Sequence, residues 1–306
     1  MVGGEALVDL LVPPDGSVAA AAGGGPYNTA RTIARLGVPV AWLGGLSSDR
    51  FGRLLEAGLA ADGVALDLVQ WTDLPTTLAL AELDDHGAAT YRFYVDGTSA
   101  PQVLADRLPA TPSPAIRALH VGTLGLVLEP MATTLEALVA GLPADVLLMV
   151  DPNCRPSVIA DPAAWRARLA RILARADVVK VSTEDAAFLA PDASPAEAVA
   201  RILGLGARTV LLTDGSAPVT IQGDGAGRTV PVPPVRVVDT VGAGDTFGGA
   251  VLACLVHDGV TRSTLDLGAV ERATRFGVRA AAVTCTRAGA NPPTVDELGG
   301  WPASAA

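Results

Sequence analysis

The chain repeatedly passes from a short apolar run, through a polar or glycine-rich turn, into a helical stretch. Residues 118–121 lead into Gly122, and residues 146–150 into Asp151, Pro152 and Asn153. Residues 178–181, interrupted only by Lys180, lead into 182–185, and residues 210–212 lead into Thr213, Asp214 and Gly215. Short continuous apolar runs mark parallel strands buried on both faces. The helical stretches between them are amphipathic. Trp165, Leu169, Ile172 and Leu173 form one stripe, while Arg166, Arg168, Arg171 and Arg175 lie largely off it. Strand and helix in alternation predict an α/β fold with a mostly parallel sheet.

One region breaks the rhythm. Residues 66–95 show little helical periodicity. Residues 76–82 are β-branched and apolar, 84–87 are turn-like, and 90–95 (TYRFYV) alternate and are aromatic. That pattern predicts a β-hairpin outside the main sheet. An insertion of this kind is either a lid over a ligand or an ordinary edge hairpin.

Charge and residue counts narrow the function. With 32 acidic and 22 basic side chains the net charge is -10, against the basic patches that nucleic acids and membrane surfaces require. Lys180 is the only lysine, so no G-K-[S/T] exists and a P-loop is excluded. The arginine excess travels with Ala, Gly and Pro and reads as compositional bias. Cysteines 154, 254 and 285 have no C-x-x-C spacing, so neither a zinc site nor a disulfide framework is expected. The start, MVGGEALVDLLV, has no basic segment before its apolar run, and no run of 18 apolar residues follows. A cytoplasmic protein is expected.

The most informative stretch is VVDTVGAGDTFGGAVLACL, residues 237–255. Gly242, Ala243 and Gly244 open a helix of small residues. Backbone N–H groups there can converge on an anion, helped by the helix dipole. Asp245 is either the acceptor of a proton from a hydroxyl that attacks a phosphoryl group, or a helix cap. A dinucleotide fingerprint needs Gly where Phe247 stands.

Near the start, residues 3–9 read as a strand carrying Asp9 near its end. Gly23, Gly24 and Gly25 then precede Pro26, Tyr27, Asn28 and a helix over 29–36. Bare backbone beside Asp9 and Asn28 suits a polyol, although an Asn cap at a turn is the plainer alternative. Residues 44–52 form another glycine-flanked loop, which either shapes the same pocket or caps a helix through Ser48 or Asp49.

GGGPYN near the start and DTVGAGD near the end resemble the two signatures of the PfkB, or ribokinase-like, carbohydrate kinases. GEALVDL (4–10), GLSSDRFGRLL (45–55), DPNCRP (151–156), ADVVKVSTED (176–185) and TDG (213–215) agree in order along nearly the whole chain. The resemblance implies a three-layer α/β sandwich with a mostly parallel central sheet and a small β-sheet lid. It implies one kinase domain over 1–306, with the lid drawn mainly from 10–20 and 66–97. The reaction implied is transfer of the ATP γ-phosphate to a sugar hydroxyl.

By motif match, Asp245 is the base and Gly242, Ala243 and Gly244 the anion hole. Asp9, Gly24, Gly25 and Asn28 hold the sugar, covered by Phe93 or Tyr91 from the lid. Thr213 and Gly215 line the nucleotide site, and the segment near Asn291 closes over adenine. Lys180 either approaches the phosphates or pairs with Asp177 or Glu184. Mg²⁺ is expected on the phosphates, with Glu184 and Asp185 as candidate ligands. They stand where many relatives carry N-x-x-E, but with Ser182 in place of Asn. Relatives often bind a monovalent cation such as K⁺ beside this loop, and often form homodimers through their lids. Leu78, Leu80, Phe93 and Val95 are the candidate apolar lid face, which otherwise only covers the sugar. His120 reads as structural.

GEALVDL, the Pro26 form of the glycine motif and DPNCRP look more like the fructokinase branch than like ribokinase or adenosine kinase. A ketose such as fructose is therefore expected. The next reading is 2-keto-3-deoxygluconate or another sugar acid, with Arg92 or Arg155 meeting its carboxylate. A ribokinase or nucleoside kinase is third. A catalytically silent sugar-binding regulator on the same fold is the reading from a different class, and intact Asp245 argues against it.

Overall fold

A computed structural model of the chain describes residues 1–83, 89–109, 113–223 and 225–303. The expected turn at 84–87 lies outside the described residues. Among the described residues nine strands form the large sheet. In chain order they are β1 (Val2–Gly3), β4 (Trp42–Ser47), β5 (Val69–Thr72), β8 (Ala118–Gly122), β9 (Leu147–Asp151), β10 (Val178–Ser182), β11 (Thr209–Thr213), β12 (Val219–Gly223) and β13 (Ala226–Val230). Across the sheet the order is β13-β12-β11-β10-β9-β8-β1-β4-β5, and β11 through β5 are parallel. The edge strands β12 and β13 run antiparallel. The smaller sheet has β3 (Ala19–Gly23), β2 (Leu7–Val12), β6 (Leu78–Leu83) and β7 (Ala89–Tyr94) in that order.

The apolar runs are strands because both faces are buried. Leu147 and Met149 of β9 join one core, while Leu148 and Val150 join the other. Helices α1 (Gly25–Arg35), α2 (Arg50–Ala61), α7 (Ala243–His257) and α8 (Leu267–Cys285) cover the first face. On the second lie α3 (Met131–Ala140), α4 (Pro162–Leu173) and α6 (Pro195–Gly204). The expected stripe Trp165, Leu169, Ile172 and Leu173 is the buried face of α4. The remaining helix, α5 (Thr183–Leu189), follows β10 directly.

Two boundaries differ from the sequence reading. Residues 3–9 are not one strand. The chain leaves the large sheet after Gly3 and enters the small one at Leu7, so Asp9 belongs to the second sheet. Gly4, at φ 149°, makes the break. A side chain there would collide with Pro26, its Cβ falling 2.3 Å from Pro26 Cγ. The second difference is β5, inside the stretch expected for the insertion, which instead extends the large sheet beside β4. Its Gln70 is buried and bonds to the backbone of Leu104 in both directions, which fixes that edge.

Candidate active site

The carboxyl ends of β8, β9 and β10 open toward the start of α7, the place where open α/β sheets hold ligands. A cavity of about 530 Å³ lies there between the two sheets. It brings together Asp9, Gly24, Gly25, Asn28, Phe93, Arg155, Lys180, Gly242, Gly244 and Asp245 from the sequence reading.

Gly242 caps α7 in the left-handed region at φ 74°. A Cβ there would also fall 2.5 Å from that of Ala290, so glycine is required twice. The first N–H groups of a helix have no partner within it. Ala243 lies outside the cavity lining, and its N–H donates to the carbonyl of Thr240 at 3.2 Å. Gly242 and Gly244 thus remain as the donors bordering the cavity. Asp239 steadies this turn, accepting from the N–H of Val241 at 3.0 Å and of Gly289 at 2.8 Å.

Asp245 does not cap its own helix. Its Oδ2 accepts from Asn28 Nδ2 at 2.9 Å. Burial pushes its pKa up, against the pull of Asn28, Lys180 and Arg155. Asn28 lies inside α1 and caps nothing, and its buried Oδ1 has no protein partner. Asp9 is raised to about 6 by burial and then by Asp245, with Arg155 opposing.

Lys180 pairs with neither Asp177 nor Glu184. Its Nζ lies 3.0 Å from Oδ2 and 3.3 Å from Oδ1 of Asp151, at the end of β9. Burial pulls the lysine down, but Asp151, Asp185 and Asp245 outweigh it and hold the ammonium above its ordinary range. Burial raises Asp151 to about 6 despite the lysine. Both are therefore charged at neutral pH.

Other predicted residues lie elsewhere. Thr213 ends β11 and donates to the carbonyl of Val181 at 3.3 Å, while Gly215 and Asn291 are exposed. None of the three lines this cavity. The structure separates the two candidate metal ligands. Asp185 is buried in a capping box, with Oδ2 accepting from Ser182 at 2.9 Å and Oδ1 from the N–H of Cys154 at 2.6 Å. Glu184 is exposed. Among the described residues no three acidic, His or Cys side chains converge as a metal site. Asp49 caps α2, accepting from Gly52 N–H at 2.8 Å, so the plainer reading of that loop holds. Arg92 is exposed near Glu82, away from the cavity. His120 is buried outside it and held neutral, to about 3, by burial and by Lys180.

Sequence reasoning missed Glu5, Thr123 and Asn153, which also line the cavity. Glu5 is fully buried. Thr123 (φ 49°) and Asn153 (φ 38°) are the non-glycine residues at positive φ among those described, and Asn153 Nδ2 donates to Thr123 Oγ1 at 3.2 Å. Backbone strain of this kind concentrates at functional sites. Glu5 in GEALVDL and Asn153 in DPNCRP sit inside motifs already noted, which was the available signal.

Comparison with known proteins agrees with this architecture. The pfkB family carbohydrate kinase model matches residues 4–297. A fructokinase of Rhizobium leguminosarum bv. trifolii is 36% identical over 279 residues, spanning 90% of this chain and 85% of that protein. A fructokinase of Klebsiella pneumoniae is 35% identical over 84% of each. The crystal structure of a Xylella fastidiosa fructokinase with bound ATP superposes with a TM-score of 0.88 at 28% identity, covering 97% of this chain and 96% of that one. A Vibrio cholerae O395 fructokinase in its fructose, ADP and calcium ion bound form gives a TM-score of 0.82 at 27% identity, covering 94% of each.

Proposed function

Since the chain belongs to the pfkB family of carbohydrate kinases, we propose that it phosphorylates a ketose such as fructose with ATP, using Asp245 as the base. The observation that carries this reading is the placement of Asp245. Its carboxylate sits in the first turn of α7, held by Asn28, in one cavity with Lys180 and the N-terminal glycines.

The sugar lies between the sheets, its hydroxyls meeting Asp9, Asn28 and the backbone of Gly24 and Gly25. Phe93 and Tyr91, ring centroids 6.4 Å apart, cover it from β7. The second sheet thus serves as lid to a single kinase domain and excludes water that would hydrolyse ATP. Asp245 takes the proton of the attacking hydroxyl. The sugar oxygen forms its bond to the γ-phosphorus as the bond to the ADP oxygen breaks. Its raised pKa suits Asp245 to accept that proton, while Asn28, Lys180 and Arg155 favour its charged form and oppose the rise. The Gly242 and Gly244 N–H groups and the Lys180 ammonium stabilise charge on the transferring group.

The rest of the nucleotide extends past α7 toward Thr213, Gly215 and Asn291. Exposed Val237, Val238 and Val241 offer it an apolar seat. Mg²⁺ binds through few carboxylates and keeps phosphate oxygens and waters as its other ligands. Asp185 is committed to protein donors, so of the two acids Glu184 fits that group. When bound, the metal supplies neutralisation of phosphate charge. A K⁺-type ion beside the Asp239–Thr240 turn would be held by backbone carbonyls, since both Asp239 oxygens accept from protein N–H groups. Tyr94, exposed on the face of the lid sheet that points away from the cavity, fits a homodimer through the lid. Leu78, Leu80, Phe93 and Val95 are half-buried. No helix among the described residues is long and apolar enough to cross a membrane. ATP as substrate and unpaired cysteines fit the cytoplasm.

Arg155 in the cavity favours a sugar acid as the second reading. A coupled ADP-release assay across ketoses, aldoses, sugar acids and nucleosides, with wild type and Asp245→Asn, decides. Fructose should give the highest kcat/KM. If no sugar stimulates ADP release above the Asn variant, the kinase reading fails.

A further inference from the structure

Glu5 occupies the break between β1 and β2, where the chain passes from one sheet to the other. Its side chain is fully buried and borders the cavity. Oε1 accepts from the N–H of Gly25 at 3.2 Å, the first residue of α1. Oε2 accepts from the N–H of Gly125 at 3.0 Å, in the turn Thr123–Leu126. One carboxyl thus ties two separate cavity walls to the sheet hinge.

Each wall carries a polar side chain onward. Along α1, three residues past Gly25, Asn28 donates to Asp245. On the other side, Thr123 is held at positive φ and accepts from Asn153. The walls meet over Gly25, where a Cβ would fall 2.5 Å from Thr123 Oγ1 and 3.3 Å from Asp245 Oδ1. Glu5 also presses on the loop through its backbone, since a Cβ on Gly24 would fall 2.7 Å from its carbonyl oxygen.

We propose that Glu5 is a positioning residue of the transfer site, clamping the start of α1 to the Thr123–Leu126 turn and so fixing Asn28 and Asp245 toward the sugar. The proposal rests on the sugar-kinase reading of this cavity.

The clamp works uncharged at neutral pH. Burial pushes Glu5 up to about 8, its bonds from backbone N–H groups opposing and the charge on Asp245 adding to the rise. The other charged groups lining the cavity are Asp9 from β2, Arg155 after β9, Lys180 from β10 and Asp245 from α7. Ionised Glu5 adds a buried negative charge beside Asp245, where negative charge must develop on the transferring group. Turnover therefore falls as pH rises through about 8. Stability also senses this group. Its folded pKa is raised, so its contribution is present below the ordinary glutamate range and is lost as pH rises to about 8.

The test is Glu5→Gln, which cannot ionise and keeps one acceptor for two N–H donors. The variant is expected to raise KM for the sugar about tenfold, as loss of one such bond implies, with KM for ATP within about twofold. The alkaline fall in kcat seen in wild type should disappear. An unchanged sugar KM, an equal rise for ATP, or an alkaline fall retained in the variant overturns the assignment.

If the variant folds poorly, the wild-type profile alone decides, because absence of a fall in kcat near pH 8 is equally fatal. A readout without turnover separates this idea from the kinase reading. The urea midpoint of wild type relative to Glu5→Gln should decline from pH 5 to 8 and then level. A pH-independent difference overturns the role of Glu5 even in an active kinase. Were no sugar turned over, that decline would still support the clamp.

Discussion

Two buried acids at opposite ends of the sheet differ in how fully protein donors surround them. Asp177 precedes β10 at its amino end and is fully buried. It accepts from the N–H of Leu148 at 2.8 Å, and Arg175 and Arg262 each lie 3.0 Å from it. Arg208 follows at 3.8 Å. Both carboxylate oxygens are hydrogen-bonded, and the arginines reach partly to solvent. Asp245, at the carboxyl end, has one side-chain donor, Asn28, and a raised pKa. Asp9 beside it is also raised. An acid surrounded by donors holds the fold. On the proposed reading, an acid left short of donors is held ready for a substrate hydroxyl, at a cost in stability that the rest of the core absorbs.

The sharpest test of this contrast is Asp245→Asn. A general base contributes about 10²- to 10⁴-fold, so kcat should fall within that range, while the urea midpoint at pH 7 should hold or rise, because the raised pKa marks a carboxylate that costs the fold stability. ADP release and unfolding on the same preparation check it, and a large stability loss would erase the distinction. Asp177→Asn should do the reverse. Removing one partner of a buried ion pair costs about 3–5 kcal/mol, and the lower end applies because its arginines are partly exposed. Its kcat/KM per folded molecule should stay within about twofold. If activity falls instead, the amino end is coupled to the site and the division of labour fails.

Phe93→Ala probes the roof rather than the acids. Loss of an aromatic contact should raise sugar KM about tenfold with little change in kcat. An unchanged KM would mean that the lid does not touch the sugar. Smallest is the effect of Asp9→Asn on stability. A raised folded pKa means that wild type loses stability as pH climbs from the ordinary aspartate range to about 6. The Asn variant should therefore be more stable at pH 7, by about 1 kcal/mol after allowing for solvent in the open cavity, and no different near pH 3. Unfolding at both pH values measures it.

Motif-bearing residues were legible where backbone chemistry alone demanded them. Gly242 must be glycine because the cap of α7 is left-handed and Ala290 leaves no room, so the signal sits in the residue type. The parallel strands were legible because burial on both faces writes a continuous apolar run. Asp9 and Asn28 were legible as a pair but not in place, since nothing local shows that Gly4 sends the chain into a second sheet. The partner of Lys180 was misread for the same reason. Asp177 and Glu184 are near in sequence, whereas Asp151 reaches the lysine only across paired strands.

What the sequence by itself determined is the layered α/β plan, the glycine-lined start of α7 and the absence of a P-loop. These follow from periodicity and from conformations that few residue types tolerate. Only the tertiary structure decided which acids are saturated and which are left short. It also joined Glu5 to Gly25 and Gly125, 20 and 120 residues away. A carboxylate's proton affinity depends on burial and on donors brought in from distant strands and helices. That environment exists only after the sheets have packed.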